Sequence, residues 1–382
     1  MGEHLKVALV TALLSPAAGG LASSVPSLAR GLTRKGVDTH VVGVEDPEDP
    51  GAGSRWGQNV HSHVQPLRTP FRYAPDIGTT LASLRPDVVD VQGIWTYPSL
   101  ANLRHHIGFG TPYVITPRGM LDPWARDHSR WKKALVRHLF EDQHLAKAFC
   151  LRATATMEAE HLRSFGLRNP IAVVPNSVSI PPLQGGSNPR PGMRRLLFLS
   201  RIHPKKGLPY LLRAWAAVED ARPDWELIIA GPDELNHTKE MQLYARKLNV
   251  SRVRWLGPIH GEAKSSLYAG ADIFILPTHA ENFGLVVAEA LSHGVPAITT
   301  RNAPWSGLRE YGCGWWIDLN DQTLRATLLQ ATELPRRALG EMGRKGRAWM
   351  EKDFGEEKLA SNMLEVYSWV VKGDNLPSFV LT

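Results

Sequence analysis

Two carboxylates, Glu281 and Glu289, stand eight positions apart in the stretch HAENFGLVVAEAL (279–291). An ionised carboxylate only accepts hydrogen bonds, so at a ligand site it suits the hydroxyls of a sugar or ribose. The stretch reads as a loop over 278–281 followed by a helix over 283–293. Asn282, Phe283, Gly284 and Leu285 would then bring free N–H groups to a phosphate, with Gly284 removing side-chain bulk. Glu281 is equally well explained as an acid favoured by the helix dipole. A plain surface position explains Glu289 poorly, because Val286, Val287, Ala288, Ala290 and Leu291 around it are apolar. A second group lies in SRIHPKKGL (200–208), where Arg201, Lys205 and Lys206 follow an apolar run. Cations at a strand end could neutralise a departing diphosphate, or simply form a solvated basic loop. A third is SPAAGGLASS (15–24): Gly19 and Gly20 let a backbone approach a ligand closely, or make a tight turn.

The elements that position these residues alternate. LKVALV (5–10), THVVGV (39–44), VVDVQ (88–92), YVIT (113–116), CLRAT (150–154) and IAVVP (171–175) read as buried strands with amphipathic stretches between most of them, such as 23–36. This is the βαβ rhythm of a parallel sheet covered on both faces. PPLQGGSNPRP (181–191) breaks it, since Pro and Gly sustain neither helix nor sheet. The rhythm restarts with RRLLFLS (194–200), ELIIAG (226–231), VRWLG (253–257), DIFILP (272–277) and PAITT (296–300). The expectation is an α/β protein of two Rossmann-like domains, at 1–180 and 194–353, joined by a linker at 181–193. Residues 354–382 are expected to hold a helix with Leu359, Met363, Val366 and Val370 on one face, capping the second domain or crossing back to the first. Ligands of such sheets bind beyond the carboxyl ends of the strands, where all three groups lie.

With 382 residues, 43% hydrophobic and 21% charged, the chain has an ordinary globular composition. Its formal charge of +7 suits a polyanionic substrate, an acidic membrane or nucleic acid. Acids and bases are interspersed, which argues against a nucleic-acid binder. Cys150 and Cys313 fit neither a disulfide framework nor a zinc site. The first residues, MGEHLKVALVTALLS, read as a strand and not a signal peptide. No stretch approaches the roughly 20 apolar residues of a membrane span. A cytoplasmic protein is expected, with contact at the inner membrane face left open. No D-x-D triplet occurs, which argues for cations from side chains and no metal or other cofactor.

Several segments together resemble the family 4 (group 1) retaining glycosyltransferases of bacterial polysaccharide and lipopolysaccharide synthesis. Glu281 to Glu289 looks like their E-x7-E motif, RIHPKKG (201–207) like their Arg…Lys-Gly phosphate loop, VVPNSV (173–178) like their "IPNGV" segment, and GCGWWID (312–318) like a segment of the polysaccharide-type members. The resemblance implies the GT-B fold, two Rossmann-like domains facing a deep cleft. It implies transfer of a hexose, with retention, from a UDP- or GDP-sugar to a saccharide acceptor. Arg201 and Lys206 would hold the diphosphate. Glu281 would bind the transferred sugar with the N–H groups of Asn282, Phe283 and Gly284. Glu289 would bind the ribose, Gly20 would approach the donor phosphate, and the base would lie near GPDE (231–234) and LGPI (256–259). The leaving phosphate would assist deprotonation of the acceptor. Arg118 stands in TPRGM (116–120), where members often carry a His, and could meet a phosphate or an anionic acceptor. His105 and His106 are expected on a helix surface. The competing reading is a nucleotide-sugar-binding or regulatory protein without turnover.

On the acceptor side, Gln92, Trp95, Tyr97 and Arg118 follow N-terminal strands. Trp95 is read as a sugar-stacking ring or a core residue. In 116–145, Arg126, Arg130, Lys133 and Arg137 form a basic stripe beside Trp131, Leu135 and Leu139. A basic amphipathic helix can lie on an anionic membrane and meet a lipid-linked acceptor, although Trp131 and Leu135 are expected to pack on the sheet.

Overall fold

The computed structural model describes residues 5–66, 68–123, 130–182 and 192–382, without the side chains of residues 130–132. Its contacts define two units, Met1–Ser177 with Glu356–Thr382, and Val178–Gly355. Of the expected linker, 183–191 lie outside the described residues, as do Arg126 and the Trp131 side chain of the amphipathic stripe.

The first unit runs β1 (Lys6–Thr11), α1 (Leu21–Arg34), β2 (Asp38–Val44), β3 (Val60–His63), α2 (Asp76–Leu84), β4 (Val88–Gln92), α3 (Tyr97–Phe109), β5 (Tyr113–Thr116), α4 (Arg130–Val136), a π-helical turn (Arg137–Glu141), α5 (Asp142–Lys147), β6 (Cys150–Ala153), α6 (Thr156–Ser164) and β7 (Ile171–Val173). The second runs β8 (Arg194–Leu199), α7 (Leu208–Ala216), β9 (Trp225–Ala230), α8 (His237–Lys247), β10 (Val253–Gly257), α9 (Gly261–Ala269), β11 (Ile273–Leu276), α10 (Leu285–Ser292), β12 (Ala297–Thr300), α11 (Gly307–Glu310), β13 (Gly314–Ile317), α12 (Asp321–Glu333) and α13 (Arg336–Asp353). α14 (Glu356–Lys372) and β14 (Val380–Leu381) then belong to the first unit.

Among the described residues, the first sheet has the order β14-β7-β6-β5-β4-β1-β2-β3 and the second β10-β9-β8-β11-β12-β13. Pairing is parallel except for β14, which runs antiparallel to β7. The apolar runs are continuous because both faces are buried. In β1, Ala8 and Val10 join a core with Ile77 and Leu81 of α2. Val7 and Leu9 face the other way, to Val25, Leu28 and Leu32 of α1. The same second core takes Leu359, Met363, Val366 and Val370 of α14, so the C-terminal helix covers the first sheet. β3 went unanticipated because its sequence, VHSH, is half-exposed and carries no apolar run.

α14 is also tied into the sheet by polar contacts. Tyr367 Oη donates to Asp90 Oδ2 over 2.6 Å, and both side chains are fully buried. Burial pushes the Asp90 carboxyl up, while Tyr367 and then the charges of Arg152 and Arg118 pull it down. Burial, then Asp90, pushes the Tyr367 hydroxyl well above its ordinary range, so it remains the donor. Tyr367→Phe leaves the buried carboxylate one donor short. Chemical denaturation should register a loss of about 1.5–3 kcal/mol, the range for a hydrogen bond to a charged group.

Candidate functional site

In the second unit two loops meet beyond the carboxyl ends of β8 and β11, which are hydrogen-bonded neighbours. After β8 the chain passes through a 3-10 turn at Pro204–Lys206 into Gly207. Gly207 has φ +69, and a Cβ there would lie 1.8 Å from the Pro277 carbonyl oxygen; only glycine allows the loops so close. The Lys205 carbonyl accepts from the His279 N–H at 2.8 Å and from Thr278 Oγ1 at 3.1 Å. This contact sets the Lys206 ammonium against the Glu281 carboxylate in an ion pair. Their side chains are 8% and 11% exposed, so the pair is largely shielded from solvent.

Glu281 lies before the helix, as expected, but the helix begins at Leu285 and ends at Ser292, not at Phe283 and His293. Gly284 is its N-cap, at φ +79, a left-handed conformation that cannot continue a helix backwards. Among the described residues no side chain caps this N-terminus. The Phe283 carbonyl accepts from Trp305 Nε1 at 2.6 Å, and the two rings pack 5.3 Å apart. Trp305 therefore fixes the peptide that leads into the helix. Asn282 and Leu285 are half-buried, and Phe283 and Gly284 are buried.

Glu289 sits in the second turn of α10 and is half-buried. Its Oε1 receives Lys264 Nζ at 2.7 Å and its Oε2 receives the Tyr268 hydroxyl at 2.8 Å. Burial, reinforced by Glu289, holds Tyr268 well above its ordinary pKa and so keeps it a donor. Lys264 and Tyr268, at i and i+4 on α9, are partners that sequence reasoning missed; nothing in KSSLY marks them. Arg201 is more open: its Nη1 bonds both oxygens of Glu234, at 2.8 and 3.0 Å, and the side chains are 54% and 41% exposed.

In the first unit, Ser15 Oγ caps the turn Pro16–Ala18 and donates to Asp46. Gly19 follows at φ +62. Gly20 has φ −59 and is the N-cap of α1, a backbone open to any residue, so the special conformation rests on Gly19 alone. Gln92 is almost fully buried, and its Oε1 takes both Nε and Nη2 of Arg118. Arg118 Nη1 bonds Asn176, in the segment 173–178. Burial, then Arg152, lowers the Arg118 guanidinium to about 9, which leaves it charged at neutral pH. Gln92 thus orients Arg118 from beneath. Trp95 is half-exposed, at φ +74, and its buried Nε1 has no partner among the described residues.

Two expectations about this unit are overturned. His105 is 4% exposed, not on the surface, and neither ring nitrogen has a partner among the described residues. It continues a buried polar stripe with Ser99 and Asn102, at helical spacing on α3. Leu135 does not pack on the sheet: it is 55% exposed, and Leu139 is 67% exposed. Among the described residues there is no cluster of three or more potential metal ligands, and no helix long and apolar enough to cross a membrane.

Two α/β units, each built on a mainly parallel sheet, are the architecture of the GT-B fold, and solved structures share it. Sucrose-phosphate synthase from Thermosynechococcus elongatus superposes with a TM-score of 0.77 at 18% identity, covering 97% of this chain and all of the other. HepE from Anabaena, solved in complex with UDP and glucose, gives 0.73 at 17% identity over 96% of this chain and all of its own. The chain belongs to the group 1 glycosyl transferases: that family's model matches residues 184–349, and a glycosyl transferase 4-like model matches 19–177. A D-inositol 3-phosphate glycosyltransferase from Segniliparus rotundus is 28% identical over 260 residues, 63% of this chain and 57% of that one. Another, from Corynebacterium jeikeium, is 38% identical over 113 residues, 27% of this chain and 26% of its own. The chain thus spans less than two thirds of the length of these relatives.

Removing one partner of the Lys206–Glu281 pair strands the other in a shielded site. Lys206→Met and Glu281→Gln should each destabilise the protein, with Lys206→Met costing about 3 kcal/mol because it leaves a buried charge unpaired. The double variant should cost less than the sum of the two, measured as a double-mutant cycle by chemical denaturation.

Proposed function

We propose that this glycosyltransferase moves a hexose, with retention of configuration, from a UDP- or GDP-sugar to a saccharide acceptor carried on a lipid, in cell-surface polysaccharide synthesis. The observation that carries the reading is the Lys206–Glu281 contact at the mouth of two strands, beside a helix N-terminus without a side-chain cap. On this reading the donor diphosphate draws Lys206 and Arg201 to itself and displaces Glu281 and Glu234 from them. Glu281 then accepts hydrogen bonds from the sugar hydroxyls, while the N–H groups entering α10 face the phosphate. Glu289 keeps lone pairs beyond those taken by Lys264 and Tyr268, and these accept ribose hydroxyls. Lys264 offsets the Glu289 charge, which lowers its repulsion toward the diphosphate. Positive side chains stabilise the leaving group, so transfer needs no metal. The departing phosphate oxygen takes the acceptor proton.

Arg118 and Trp95 fit the acceptor side as a cation and a stacking ring. The named relatives support a second acceptor class, an inositol phosphate, because a guanidinium suits a phosphate. For the lipid-linked class, the support is exposed Leu135 and Leu139 with Arg137 between them, on one segment. That segment would contact an anionic membrane from the cytoplasmic side. The reading involves no nucleic acid.

Glu281→Ala should lower transfer by about 100-fold or more, the scale for losing one group that stabilises a transition state, while nucleotide binding by calorimetry is largely spared. Retained transfer would remove Glu281 from the donor site. Chelation with EDTA should leave the rate unchanged. UDP or GDP release from a nucleotide sugar distinguishes an enzyme from a binding protein on the same scaffold. Flotation with phosphatidylglycerol liposomes should exceed that with neutral ones, and Leu135→Ser with Leu139→Ser should abolish the difference.

A further inference from the structure

Two buried carboxylates outside the proposed transfer chemistry each grip one of the acceptor-side loops, and we propose that Glu141 and Glu158 are positioning residues for Trp95 and Arg118. The loops leave adjacent strands, since Gln92 at the end of β4 pairs with Thr116 at the end of β5. Beyond β4 the backbone reaches φ +74 at Trp95, and beyond β5 it reaches φ +59 at Arg118. Large side chains disfavour this left-handed region, because their Cβ crowds the neighbouring carbonyl. Such a conformation persists only where its surroundings impose it.

The imposing group is the same in both loops. The Trp95 N–H donates to Glu141 Oε2 at 2.8 Å. The Gly119 N–H, directly after Arg118, donates to Glu158 Oε1 at 2.7 Å. Each carboxylate is anchored through its second oxygen. Glu141 Oε1 meets the His144 ring at 2.8 Å, and that ring meets Asn102 at 3.1 Å. Glu158 Oε2 accepts from the Thr154 N–H at 2.7 Å and from Thr154 Oγ1 at 2.8 Å. Glu141 and His144 are fully buried, and Glu158 is 3% exposed. A carboxylate this deep needs hydrogen bonds to stay there, and here the loop amides supply them. Glu141 also closes the π-helical turn Arg137–Glu141, the kind of insertion that re-aims a helix side chain. Packing alone asks nothing of where the carboxylates point. Both grip the amide at, or next to, a left-handed residue that carries a large side chain. The inference rests on the reading that Trp95 and Arg118 meet the acceptor.

The test pairs each carboxylate with its loop residue. Glu141→Ala should speed hydrogen exchange in the peptide carrying the Trp95 amide by about ten-fold or more. In a Trp95→Gly background, where the left-handed backbone carries no penalty, Glu141→Ala should shift the denaturation midpoint more than in the native chain, where release of the strained loop recovers part of the lost hydrogen bond. Glu158→Ala with Arg118→Gly is the matching pair. Equal shifts in both backgrounds would overturn the clamp, whether or not an acceptor is turned over. The link to function is read with UDP-glucose and D-inositol 3-phosphate as probes. Glu141→Ala should raise the acceptor KM about ten-fold with UDP affinity unchanged, and Glu141→Gln, which keeps an oxygen for the Trp95 N–H, should restore it. An unchanged acceptor KM in Glu141→Ala would overturn the positioning role. Should Trp95→Ala and Arg118→Ala themselves leave that KM unchanged, the acceptor reading fails, and the denaturation cycles still decide the clamp.

Discussion

A shielded lysine–glutamate pair is expensive to assemble, and the second unit is organised around making one between Lys206 and Glu281. The pair forms only because Gly207 lets one loop pass against the Pro277 carbonyl, and because Lys205 offers its own carbonyl to His279 and Thr278. Two loops more than 70 residues apart in sequence are thereby locked in register. The cost of shielding both charges is offset by their attraction, and removing either one uncovers it. A pair held this way is well suited to be exchanged for a better partner. On the function proposed above, a diphosphate is that partner for Lys206, and sugar hydroxyls are that partner for Glu281.

The sheets make such loops possible. Strands buried on both faces leave only their ends for chemistry, and parallel pairing collects the carboxyl ends on one edge. In the first unit the same edge carries the left-handed turns at Trp95 and Arg118, held from below by Gln92, Glu141 and Glu158. In the first unit the candidate residues are thus held by buried polar side chains, and in the second by backbone contacts between two loops.

The fold was legible because burial on both faces writes continuous apolar runs, and these mark β1, β2, β4 and β8 plainly. β3 was not, because half-exposed VHSH has no such run. The charges of Glu281, Glu289, Arg201 and Lys206 stand out in the sequence because each is a local signal: a charge at a strand end, or an acid in an apolar helix. Their partners do not. Lys264, Tyr268, Trp305 and Glu234 act across long sequence separations, and no local pattern announces them. α3 misled for a different reason. Its buried stripe is polar, through Ser99, Asn102 and His105, so hydrophobic periodicity reads His105 as solvent-facing. The exposed Leu135 and Leu139 reverse the same rule.

The central claim is that Lys206 passes from Glu281 to a nucleotide diphosphate. Calorimetric titration of UDP and GDP into the native protein and into Lys206→Met tests it most directly. The account predicts that one of these nucleotides binds the native chain and binds Lys206→Met at least about ten-fold more weakly, the scale of one charge-assisted contact. Equal affinity for both proteins, or no binding of either nucleotide to the native chain, would contradict it.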